Sequence, residues 1–148
     1  MPSDAPDIPD TPDDISTPEE IPVRYLVLLK AVTTPEGPPP PELMEAIMTL
    51  GEDARDAGVL LDTQGLQPSA TGARLSLLGG TLGTADGPFT ESKELISYAL
   101  YDVRSREEAL EWTSRFLRAH RDRWPGWEGE ADVLKVFGPE DFPPPAPA

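Results

Sequence analysis

Residues 24–32 read RYLVLLKAV, a near-continuous apolar run whose reading decides the fold. A short run of this kind, bounded by polar residues, predicts a strand buried on both faces. Such a strand needs a packed layer above it and another below. The TTPEGPPPP that follows is loop chemistry. From Pro41, PELMEAIMTLGEDARDAG places Leu43, Ile47, Leu50 and Ala54 at helical spacing, with Met44 and Met48 alongside. Proline in the first turn and Gly58 just past the last predict a helix over 41–57.

Working outward, VLLD (59–62) is a short strand and TQGLQPS (63–69) a turn-rich link. GARLSLLGG (72–80) alternates and ends in Gly-Gly, which predicts a hairpin strand with a return over residues 82–85. LISYALYDV (95–103) is β-rich. In SREEALEWTSRFLRAH (105–120), Ser105 and Glu108 have the spacing of a capping box. Ala109, Trp112 and Phe116, with Leu110, Thr113 and Leu117, form the apolar face of that helix. RWPGWEG turns the chain and ADVLKVFG (131–138) supplies a last strand. The order β-α-β-β-β-β-α-β predicts an α+β class: a ferredoxin-like antiparallel sheet, two helices on one face, and an extra hairpin. The second face needs a cover, and a second copy of the chain is the simplest one, so a homodimer is expected.

Composition sets the limits. The chain has 148 residues, a formal charge of −15 and no cysteine. Thiol catalysis and thiolate metal sites are thereby excluded. The acidic balance argues against a nucleic-acid partner, which calls for a concentrated basic face. Residues 1–22 are rich in Asp, Glu, Pro, Ser and Thr and read as a disordered acidic tail. Residues 138–148, GPEDFPPPAPA, read as a Pro-rich tail. The domain is expected over 23–137. No signal-peptide pattern and no run of about 20 apolar residues appears, so a soluble cytoplasmic protein without a membrane partner is expected.

TADGPFTESKE (84–94) is the most distinctive short stretch. Together with RYLVLLK and AGVLLDTQGLQP (57–68), it makes residues 24–137 resemble the YCII-related, DGPF-domain family of small bacterial proteins. The resemblance implies a dimeric α/β barrel, two ferredoxin-like sheets packed face to face around a cleft. It implies no single activity: relatives lie in genes beside extracytoplasmic-function sigma factors, and some YCII-type relatives act in breakdown of halogenated aromatics. In enzyme-like relatives a first-helix His and a nearby Asp form an acid–base pair. Here Ile47 and Met48 occupy the region of that His, and Asp56 is the nearest match to the Asp. A Gly-Gly usually precedes the family's tyrosine-bearing strand, where this chain has ISY (96–98).

The candidate site follows from these residues. Asp86 is read first as a turn former, with Gly87 taking a conformation other residues resist, and second as a general base. Asp56 is the other catalytic candidate. Phe89 is read as an anchor and cleft wall, joined by Tyr98 or Tyr101, which alternate along one strand, and by Trp127. His120 is the one histidine, among Arg115, Arg118, Arg121 and Arg123 near a helix end. There it completes the dipole, binds an anion or holds the acidic tail. No phosphate loop, nucleophile elbow or metal spacing is present, so no cofactor and no metal is expected. The leading expectation is a homodimer that binds a small molecule near the DGPF turn, accessory to sigma-factor-linked regulation. A lyase- or hydrolase-type enzyme and a protein-interaction module stay open as alternatives.

Overall fold

The structure is a computed structural model and describes residues 21–142. The acidic tail through residue 20 and the stretch 143–148 lie outside the described residues. Elements run β1 (Val23–Thr33), α1 (Pro41–Asp56), β2 (Leu60–Gly65), β3 (Ala73–Leu78), β4 (Thr81–Asp86), β5 (Glu94–Val103), α2 (Arg106–Arg123) and β6 (Glu128–Lys135). Four strands form an antiparallel sheet of order β2-β5-β1-β6, and β3-β4 form a separate two-stranded arm. This is an α+β fold with a ferredoxin-like layout and an inserted hairpin.

RYLVLLKAV lies in β1, between β5 and β6. Its odd positions, Tyr25, Val27 and Leu29, are buried. Tyr25 and Val27 share a core with Tyr101 and Val103 of β5, Ala54 of α1, and Ala109 and Trp112 of α2. Both helices therefore cover the same face. The even positions Leu26 and Leu28 are only half-buried, so within one chain β1 is enclosed on one side, not two.

Local chemistry sets the boundaries. Pro41 opens α1 where its missing N–H is not needed, and Gly58 leaves the helix at a φ of 75°. At α2 the Ser105 hydroxyl accepts from the Glu108 N–H at 3.1 Å. The Glu108 carboxylate accepts from the Arg104 N–H at 2.8 Å, one residue beyond the Ser105 N–H that a full capping box would use. Gly79 and Gly80 both take positive φ, as a tight hairpin turn requires. β6 begins at Glu128, earlier than the sequence predicts, because the Trp124–Trp127 turn sets Glu128 directly opposite Thr33. Past Phe137 a 3-10 turn (Pro139–Asp141) brings the Phe137 and Phe142 rings to 5.3 Å, so this part of the Pro-rich tail is folded back.

The uncovered face of the sheet is built in cross-strand rows. One row runs Asp62, Leu100, Leu26, Leu134; the next runs Gln64, Tyr98, Leu28, Asp132. After a bulge between Leu29 and Lys30, Leu95, Lys30 and Glu130 complete it. No described helix is long and apolar enough to cross a membrane.

Candidate functional site

The DGPF stretch forms a corner between the arm and β5. It packs on a 3-10 turn, Ser69–Thr71, at the far end of the link from β2. The Ser69 N–H and hydroxyl both donate to the Glu94 carboxylate, at 2.9 and 2.5 Å. The same hydroxyl accepts from the Phe89 N–H at 3.0 Å, and the Gly87 N–H donates to the Gly72 carbonyl at 2.9 Å. These donations, the hydroxyl's first, hold the Glu94 carboxyl below its ordinary value. The Gly87–Pro88 peptide is cis.

Glycine at 87 is required by space, not by a positive φ. A Cβ there would lie 1.7 Å from the Ser69 carbonyl oxygen and 2.6 Å from its carbon. This corrects the reading in which Gly87 supplies an unusual conformation. Asp86 does not act as an Asx turn either. Its side chain is exposed at the end of β4 and makes no hydrogen bond or ion pair with the described residues. The backbone anchoring expected of Asp86 is carried by Ser69 and Glu94, 25 residues apart, which no local spacing connects.

Beside this corner lies an open groove of about 770 Å³. Phe89 and Arg74 form one wall, with the guanidinium 4.1 Å from the ring centroid. Arg74 also pairs with Glu91, which lowers the Glu91 carboxyl from its ordinary value. Lys30, Lys93 and Glu130 line the groove as well; Lys93 meets Glu130 at 2.9 Å and Lys30 meets Asp132 at 2.6 Å. Two of the three lysines in this acidic chain thus stand on one groove. Their carboxylate partners are only half-buried, and ion pairs so open to water are weak enough for a ligand to displace. The space enclosed between helices and sheet is only about 60 Å³ and mainly apolar-walled, far below the roughly 300 Å³ of a small-ligand pocket.

The remaining candidates are dispersed. Tyr98 stands on the uncovered face and donates to Asp62 at 2.8 Å; the accepting carboxylate raises the phenol above its ordinary value. Tyr101 faces the helices instead, and burial pushes it up to about 12. Asp56 is exposed at the end of α1. His120 is only 4% exposed and Trp127 is buried beside it, their rings 4.4 Å apart. The His120 Nδ1 donates to the Phe116 carbonyl at 2.9 Å, since a carbonyl can only accept. Burial holds the imidazole below its ordinary value. Tyr101, His120 and Trp127 are therefore packing groups of the helix side, not walls of the groove. The reason for Tyr101 is register: it sits opposite Tyr25, on the helix-facing side of the strand. Nor do the arginines gather around the imidazole. Arg115 and Arg118 pair with Glu111, and Arg121 with Asp122.

Asp62, Ser69, Arg74 and Glu94 are absent from the sequence-derived site. Strand alternation could not have found Asp62: it would put Asp62 on the core side with Leu60, and a bulge between the two turns Asp62 onto the uncovered face with Tyr98. No described group of three His, Cys, Asp or Glu side chains could hold a metal ion. No family model matches the chain, and no curated protein matches it.

Proposed function

We propose that the protein binds a small molecule in the groove beside the DGPF corner and works as a homodimer of the YCII-related, DGPF-domain kind. The observation that carries this reading is the corner itself. Gly87, Ser69 and Glu94 fix the backbone behind Phe89, and so build a rigid wall for a groove that gathers Lys30, Lys93 and Arg74. The second copy is supported by β1, whose sequence is apolar on both faces while one chain covers only one. A role accessory to sigma-factor-linked regulation follows from the resemblance alone.

The direct test is native mass spectrometry of protein exposed to cell extract. A small molecule retained by the unaltered chain and lost from the Arg74→Ala/Lys93→Ala variant is the expected result. A chain that retains nothing, or a variant that retains the same molecule equally, would overturn the reading.

A second reading, acid–base catalysis of lyase or hydrolase type, is favoured by the Tyr98–Asp62 hydrogen bond on the face a partner would cover. Asp86 and Asp56 remain its other candidates, each exposed on a separate element. Once a bound molecule is identified, loss of its conversion with retained binding in Asp62→Asn, Asp86→Asn or Asp56→Asn would select among them.

A further inference from the structure

The β3–β4 arm carries an apolar face that the groove does not use. Leu77 sits opposite Leu82 and Leu75 opposite Thr84, which puts these three leucines on one face, with Leu78 near the tip. Leu75, Leu77, Leu78 and Leu82 are 73%, 66%, 76% and 76% exposed. Residues 75–85 contain no charged side chain, in a chain that is 26% charged. Among the described residues the two strands pair only with each other, so neither outer edge has a strand partner there. A lone two-stranded ribbon is marginal in water and gains from a covering surface.

We propose that this arm docks on a second copy of the chain, seating its leucine face on the uncovered face of the partner's sheet. The inference rests on the dimer reading above and adds the element that makes the contact. Area points to the seat. The three leucines of that face offer on the order of 400 Å², within the range of a monomer's largest apolar patch yet short of the about 800 Å² per partner of a stable interface. Leu26, Leu28, Leu100 and Leu134 on the sheet supply apolar surface to make up the difference. Charge points to the occupant. Two chains of −15 repel, and the arm is the long uncharged stretch through which they approach at least cost. A partner recognised by charge would be drawn to the acidic body instead. Position links the two surfaces. Arg74 at the base of the arm and Lys30 and Glu130 of the uncovered face line one groove, so a single partner can cover both.

Sedimentation equilibrium of the full chain tests this. The unaltered protein is expected at twice 16.1 kDa, and Leu77→Glu/Leu82→Glu at 16.1 kDa with an unchanged circular dichroism spectrum. Leu134→Glu, on the proposed seat, is expected to be monomeric as well. If glutamates unfold the arm, Leu77→Thr/Leu82→Thr keeps strand propensity and should weaken the dimer by about tenfold or more. A dimer that survives both arm variants but not Leu134→Glu overturns the role of the arm and leaves the sheet dimer standing. One that survives Leu134→Glu but not the arm variants overturns the seat. An unaltered chain that is monomeric at micromolar concentration overturns the arm proposal and the dimer together.

Discussion

Gly87 is where the corner has the least room. A methyl group there meets backbone, which cannot swing aside, so Gly87→Ala is expected to cost about 1–3 kcal/mol or more. A lower urea midpoint at unchanged slope would show it. Asp86→Ala should stay within about 0.5 kcal/mol, because its exposed side chain makes no hydrogen bond or ion pair with the described residues. Phe89 is half-buried, so Phe89→Ala should cost less than the about 3–5 kcal/mol of an enclosed ring. Glu94 gives the corner a pH response. Its folded value is depressed, so its contribution is complete above the ordinary 4.5 and is lost as the pH falls through the lower folded value. The melting-temperature gap between the unaltered protein and Glu94→Gln should therefore close in acid. That DGPF is a corner was legible from its turn residues. How it is held was not, because Ser69 and Glu94 meet only once β2 and β5 have paired.

The helices were the most legible elements, since caps and periodicity are local signals. Ser105→Ala removes a bond that the structure retains and should cost about 1 kcal/mol, measured by denaturant unfolding. Toward the other end of α2, His120 is buried with its pKa lowered. The unfolded chain then binds more protons than the folded one below the ordinary 6.5. Stability should fall as the pH drops through 6.5 toward the folded value, and His120→Phe should flatten that part of a thermal-melt profile. Strand positions were legible as well, whereas their facing was not fully so. The alternation of Tyr98 and Tyr101 is plain in the sequence, but which one meets the helices depends on the register with β1.

At the scale of the molecule, the element order gave the ferredoxin-like layout directly, because each element's period is written in its own residues. The separation of β3-β4 from the main sheet was not written there; it depends on β5 pairing with β2 and β1. The charge of −15 carries its own expectation for the proposed dimer. Salt screens the repulsion between copies, so the dissociation constant should fall as ionic strength rises toward about 0.15 M. A constant that rises instead would point to ion pairs in the interface. The chain leaves the four-stranded sheet after β2 and re-enters it at β5, with Ser69 and Glu94 in contact at the two points of departure. Everything between them is thus a cassette clipped shut at its base. Replacing residues 69–93 by a two-residue Asn-Gly turn would join β2 and β5 as an ordinary hairpin. The sheet and both helices would lose no strand pairing, and a plain βαββαβ unit would remain as the scaffold onto which the corner, the groove and the arm have been grafted.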